Sequence, residues 1–185
     1  MKTFLFPILL AVLLVSNAGA QAPATGTPPT ATPAAKAKPL ASGEQTYVRN
    51  ALKSLNYQVK LADAGKAIAD QNLLRLRDTT AKELGNALQE LGKIATAHGE
   101  KLPGDVSGAE KVDLDRVNRA KLDKLPKEWA AALAKESKRL DHETDVAGKT
   151  AQDADLKMFL TNYGPTIRNV ATSSETADKA LKAAK

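Results

Sequence analysis

Apolar residues recur at three- and four-residue steps from residue 48 almost to the C-terminus, and this period constrains the fold more than any other feature. Such spacing places one apolar stripe along the face of an α-helix. No segment alternates apolar and polar residues with a period of two, which is the pattern of a half-buried strand. The sequence therefore predicts an all-α protein.

Two antiparallel helices are predicted in the first half of the periodic region. The first carries Val48 near its start and ends around Ala69, and the second runs from Leu73 to His98. Gly99 follows in the position that commonly ends a helix. Only the short polar stretch 70–72 separates the two helices, so we expect them to pack side by side in opposite directions.

The second half predicts another antiparallel pair. Ser107 and Glu110 have the spacing of a capping box, which indicates a short helix in the connection. Pro126 suits the first position of the third long helix, and Asp153 suits the N-cap of the fourth. Two hairpins joined by a long connection with a short extra helix predict a four-helix bundle with a crossover.

Gly164-Pro165 interrupts the fourth apolar run without changing its phase. Proline in a helix interior costs roughly 3 kcal/mol, because it lacks a backbone donor and crowds the preceding turn. The apolar stripe of this helix, which we call the seam, nevertheless continues in register on both sides of the proline. It consists of Leu156, Phe159, Tyr163, Ile167, Val170, Ser174, Ala177 and Leu181. We therefore predict one helix of about 28 residues that is kinked at Gly164 and Pro165.

The N-terminus has the three parts of a secretory signal peptide. Lys2 supplies the positive charge, Phe4 to Val15 the apolar segment, and residues 18–20 a small-residue site for cleavage after Ala20. The apolar segment is shorter than the about 20 residues that span a bilayer, so no transmembrane segment is expected after cleavage. This predicts a periplasmic or secreted bacterial protein. Residues 21–43 are rich in Ala, Pro and Thr and predict a disordered linker before a folded domain at 44–185.

Composition excludes several functional classes. The chain has no cysteine, so disulfides and thiol catalysis are excluded. Its net charge is +6, but basic and acidic residues interleave between residues 111 and 145, and aromatic residues make up 4%. A nucleic-acid-binding protein would cluster its basic residues on one face, so none is predicted here. Lysine-rich helix surfaces leave open a weaker alternative, peripheral binding to anionic membranes.

Several short motifs occur in a familiar order. Gly99 to Pro103 reads Gly-x-x-Leu-Pro, Trp129 opens the third long helix, and the fourth carries Leu156, Phe159, Pro165, Ile167 and Arg168. Together with the predicted signal peptide and linker, this order of motifs resembles that of a family of secreted bacterial domains of unknown function. That family has a ferritin-like four-helix-bundle fold, and its members are often labelled membrane or outer-membrane proteins. The resemblance covers about Ala51 to the C-terminus.

The resemblance implies an inward-facing polar site of carboxylates and histidines on four helices, which could hold one or two metal ions. The corresponding positions here are Gln58, the pair Glu83-Leu84, Ser137 and Val170. Every expected ligand except one carboxylate is missing. The chain is therefore similar to a divergent member of the family, for which we expect no metal site and no cofactor.

Glu83, Glu136 and His142 are the remaining metal-ligand candidates. Glu136 lies near the inward face of the third helix, so it either meets Glu83 inside or turns outward and pairs with Lys82, Lys138 or Arg139. His142 lies off the apolar seam among acidic residues. The other histidine, His98, suits the C-terminal end of a helix dipole.

No catalytic residues are predicted, because no serine has a histidine placed to activate it. The sequence favours a non-catalytic envelope protein that acts by binding or scaffolding. The ligand would be an envelope component or a protein partner that the sequence does not identify. The alternative is a metal-binding protein or metal-dependent oxidase of ferritin-like type that uses the residual carboxylates.

Overall fold

A computed structural model describes residues 38–184. The predicted signal peptide, its cleavage after Ala20 and most of the predicted linker lie outside these residues. The described part of the chain consists of helices and connecting loops, with no strand. The prediction of an all-α protein is confirmed.

Six α-helices follow one another within residues 38–184. Their bounds are α1 Ser42–Ala64, α2 Gln71–Thr79, α3 Gly85–Ala97, α4 Gly108–Asn118, α5 Leu125–Thr150 and α6 Ala154–Ala183. A 3₁₀ turn, Gly65–Ala67, follows α1, and a π-helical turn, Thr80–Leu84, joins α2 to α3. Backbone dihedrals stay right-handed helical at Thr80, Leu84 and Gly85, so α2, the π turn and α3 form one continuous helical segment. This segment matches the predicted second helix.

Of the three predicted helix starts, one agrees with the structure, one is displaced by one residue and one is wrong. Asp153 caps α6 through a 2.9 Å hydrogen bond from the Leu156 amide, as predicted. Pro126 occupies the second rather than the first position of α5. The predicted capping box at the start of α4 is wrong, because the Ser107 side chain makes no capping hydrogen bond. Gly108, which follows it, has a left-handed φ of +64°, so the chain does not enter the helix with the geometry that a serine cap requires.

The folded part of the chain begins before the predicted boundary at residue 44. Helix α1 starts at Ser42, and Leu40, which precedes it, is buried in the core. The last residues of the predicted linker therefore belong to the helical domain.

The long helices share one hydrophobic core. Helices α5 and α6 pack together most extensively; α1 contacts α5, α3 and the π turn, and α2 and α3 contact α6. Helix α4 lies against α1 and α5. The Trp129 ring of α5 is fully buried, and its indole N–H donates to the Leu61 carbonyl of α1 at 2.8 Å. This bond joins the two halves of the chain in the core.

Helix α6 continues without interruption through Pro165 and is 30 residues long. Seam residues on both sides of the proline, including Phe159 and Val170, are buried. The prediction of one helix in register across Gly164-Pro165 agrees with this assignment, and the bend itself stays a prediction. Within residues 38–184, no helix is both long and apolar enough to cross a bilayer.

Candidate functional site

The four positions that the resemblance assigns to a polar site lie in the interior. Gln58 of α1 is 0% exposed, and Leu84 of the π turn, Ser137 of α5 and Val170 of α6 are each 1% exposed. They come from the four long helical segments of the domain. Any chemistry at these positions would therefore take place in the core and away from solvent.

Two of these positions meet in a neutral hydrogen-bond network. The Ser137 hydroxyl donates to the Gln58 side-chain carbonyl at 2.7 Å, and the Gln58 amide donates to the Ser54 hydroxyl at 3.2 Å. All three residues are buried, so the network satisfies polar groups that would otherwise be costly to bury. The Gln58 oxygen is the best remaining metal ligand here, and it is already engaged by a hydroxyl.

Two other buried hydroxyls in the core bond to carbonyls of their own helices. Thr80 donates to the Leu76 carbonyl at 2.8 Å, and Ser174 donates to the Ala171 carbonyl at 2.9 Å. Thr80 opens the π turn that places Leu84 in the core. Such turns are frequent at functional sites, but here the side chains that the turn buries are a bonded hydroxyl and an apolar group.

Glu136 is buried and paired. It is 5% exposed, so it does not turn outward, which is one of the two alternatives that the sequence allows. Its carboxylate accepts two hydrogen bonds from the Arg139 guanidinium, one of the partners that were predicted. Arg139 also donates to Glu143 at 2.9 Å and lies 4.0 Å from Glu110 of α4. Glu136 is thus part of an ion-pair network between α4 and α5.

Glu83 and His142 do not join Glu136. Glu83 is 38% exposed at its side chain and pairs with Lys82 at 3.2 Å. His142 is exposed and lines a groove between α1 and α5. Among the described residues these three side chains form no group whose ligand atoms could share one cation. The alternative metal set predicted from the sequence is therefore not assembled.

A different group of potential ligands lies at one end of the helical domain. His98 ends α3, Asp153 caps α6 and Asp155 lies in the first turn of α6; one ligand atom of each lies within 4.8 Å of the others. We call these residues the His98 cluster. The prediction that His98 ends a helix is confirmed. Its carboxylate neighbours were not predicted, because they lie far along the chain and meet it only through the packing of α3 and α6.

Glu44 holds the backbone beside this cluster. One carboxylate oxygen accepts from the amides of Gln152 and Asp153 at 2.6 and 2.8 Å, and the other accepts from the Ala41 amide at 2.9 Å. Burial acts to raise the pKa of Glu44, but the three backbone donors stabilise the carboxylate and leave the pKa below its ordinary value. This clamp joins the start of α1 to the turn between α5 and α6.

Two large surface grooves both exceed in volume the one that His142 lines. One, about 840 Å³, lies between α1 and α3 and is lined by apolar residues that include Leu88, Leu102 and Pro103. The other, about 550 Å³, lies between α2 and the C-terminal half of α6 and includes Leu76 and Leu181. Both are open and contain few charged groups, so either has a shape and chemistry compatible with an extended apolar ligand.

Comparison with protein-family models, with curated proteins and with solved structures found no match for this chain. The class that the described helices define is that of the all-α proteins.

Proposed function

We propose that this chain is a non-catalytic bacterial envelope protein, periplasmic or secreted, whose helical domain binds or scaffolds another envelope component. In this proposal α1, the α2–α3 segment, α5 and α6 form a ferritin-like four-helix bundle, α4 belongs to the crossover, and α6 bends at Gly164-Pro165. The observation that supports it best is the neutral composition of the core at Gln58, Leu84 and Ser137.

A metal centre of the carboxylate-bridged type needs several carboxylates and imidazoles that face one another inside the helices. The corresponding core positions carry an amide, a hydroxyl and two apolar side chains. The buried carboxylate of Glu136 is neutralised by Arg139. The core therefore contributes packing and hydrogen bonds, and the surface remains as the part that would meet a partner. The groove beside Leu102, whose side chain is largely exposed, is a suitable contact surface.

Elemental analysis of the protein isolated from the periplasm under mild conditions tests this proposal. It is best made on residues 21–185 carrying His98→Gln, because that substitution removes the cluster at the end of the domain and leaves the core unchanged. We expect iron, manganese, zinc and copper to be close to zero per chain. About one metal ion per chain in this variant would instead indicate a metal centre in the core and would overturn the proposal.

The predicted compartment has its own test. Intact-mass measurement of the protein from a periplasmic fraction should give a chain that begins at Gln21. A chain that keeps residues 1–20 and sediments with membranes would contradict secretion as a soluble envelope protein.

A further inference from the structure

We propose that the His98 cluster, made of His98, Asp153 and Asp155, binds a divalent transition-metal cation such as Zn²⁺. The site lies where the C-terminus of α3 meets the N-terminus of α6, away from the central core positions. It does not depend on the function proposed above.

The strongest observation is the orientation of the His98 ring. Its side chain is 4% exposed, and Nδ1 lies 2.5 Å from the Lys38 carbonyl oxygen. A carbonyl oxygen only accepts, so Nδ1 carries the proton and Nε2 of the neutral ring presents a lone pair. Among the described residues that buried Nε2 has no hydrogen-bond partner, and it lies 3.5 Å from a carboxylate oxygen of Asp153. Two acceptors thus face each other, and a cation between them would satisfy both.

The separation of these two atoms suits a shared metal ion. Zinc binds imidazole nitrogen and carboxylate oxygen at about 2.0–2.2 Å, so two ligand atoms of a tetrahedral site lie about 3.4 Å apart. The Nε2–Oδ2 distance of 3.5 Å is close to this value. The bond from His98 Nδ1–H to a backbone carbonyl is also the outer-shell contact that usually orients a metal-bound histidine.

The surrounding backbone preorganises the second ligand. One Asp153 oxygen accepts from the Leu156 amide in the helix cap, which leaves the other oxygen directed at His98. Glu44 holds the Asp153 amide, so the turn that carries this ligand is fixed. Asp155 is exposed, and its carboxylate can rotate to complete a set of three protein ligands with a position open to water.

The donor set selects the class of metal. One imidazole nitrogen and two carboxylate oxygens favour Zn²⁺ and neighbouring transition metals, whereas Ca²⁺ and Mg²⁺ favour ligand sets made of oxygen alone. The competing state is a protonated His98 ring in an ion pair with Asp153, which would need no metal.

Equilibrium dialysis and titration calorimetry with ZnCl₂ distinguish these states, with untagged protein of residues 21–185 in a buffer that does not chelate zinc. We expect about one Zn²⁺ per wild-type chain, complete loss in His98→Gln and at least ten-fold weaker binding in Asp155→Asn. Asp155 is exposed, so its substitution tests the site even if His98→Gln fails to fold; circular dichroism verifies the fold of each variant. His142→Gln and Asp105→Asn are matched controls that should bind as wild type does.

Absence of stoichiometric zinc binding in the wild type would overturn the proposal and leave the His98–Asp153 ion pair as the explanation. Binding that survives His98→Gln, or that is lost in His142→Gln, would also overturn it, because the metal would then lie elsewhere. Failure here is distinct from failure of the proposed function, since a core metal centre would persist in His98→Gln.

Discussion

Replacing Glu44 by alanine should destabilise the helical domain more than removal of any surface carboxylate. Glu44 is largely buried and accepts hydrogen bonds from three backbone amides, those of Ala41, Gln152 and Asp153. Among the residues that the structure describes, no other side chain bridges the start of α1 to the α5–α6 turn with so many hydrogen bonds. Alanine removes all three acceptor contacts at once and leaves the donors in place.

The expected loss follows from the donors that are left behind. An unsatisfied buried donor costs about 1–3 kcal/mol, and the lower value suits amides at the end of the domain that water can partly reach. Three such amides give a loss of about 3 kcal/mol in the free energy of unfolding. Glu44→Gln keeps one acceptor oxygen for the amides of Gln152 and Asp153 but turns an NH₂ group toward Ala41. We expect it to lose about half as much.

Urea unfolding followed by the fluorescence of Trp129, the only tryptophan, measures this effect. Trp129 is fully buried, so its emission reports loss of the core. Glu90→Ala is the matched control, because Glu90 forms an exposed ion pair with Lys93 and its removal should change stability by less than about 0.5 kcal/mol. If Glu44→Ala is as stable as this control and the slope of its unfolding free energy against urea concentration is unchanged, the three Glu44 hydrogen bonds do not stabilise the domain as proposed.

Three further changes test other parts of the structure by the same unfolding assay. Ser137→Ala should cost about 1–3 kcal/mol because it leaves the Gln58 oxygen unpaired, and adding Gln58→Leu should recover part of this loss; a purely additive loss would contradict the network. Gly65→Ala should cost about 1–3 kcal/mol, because the new methyl group would lie 2.7 Å from the Trp129 indole nitrogen; wild-type stability would mean that the ring moves freely. Burial raises the pKa of Tyr47 to about 12, whereas an unfolded tyrosine titrates near 10. The contribution of the neutral Tyr47 phenol to stability should therefore be complete below about pH 10 and fall by about 2 kcal/mol as the pH rises to 12. The stability of the wild type should fall more steeply over this range than that of Tyr47→Phe; equal slopes would contradict this shift.

Helix type and extent could be predicted where apolar periodicity and local caps agree. The phase of the seam across Pro165 was enough to predict one helix, and Asp153 was identified as a cap from the residues that follow it. The π turn gave no such signal, because buried positions from Leu73 to Leu91 keep the ordinary three- and four-residue steps through it. The Ser107 cap failed because the backbone at Gly108 departs from the helical entry that the motif assumes.

Side-chain partners were predictable only when they lie within a turn of each other. Arg139, three residues from Glu136, was among the partners expected from helix geometry, although the burial of that pair was not. The contact between His98 and Asp153 depends on how the end of α3 meets the start of α6. That meeting is set by the packing of whole helices, and no local pattern encodes it.

The distribution of charge explains why the end of this domain, rather than its centre, is the better place to look for ligand chemistry. Inside a helical core most backbone groups are already paired within the helices, so buried polar side chains are often paired with one another, as Gln58 and Ser137 are here. Helix ends offer free backbone amides and carbonyls instead. Such groups stabilise the carboxylate of Glu44. They also orient the ring of His98 through Nδ1 and leave the lone pair of its Nε2 unbonded. Backbone partners thus leave one buried lone pair available, which the core network does not.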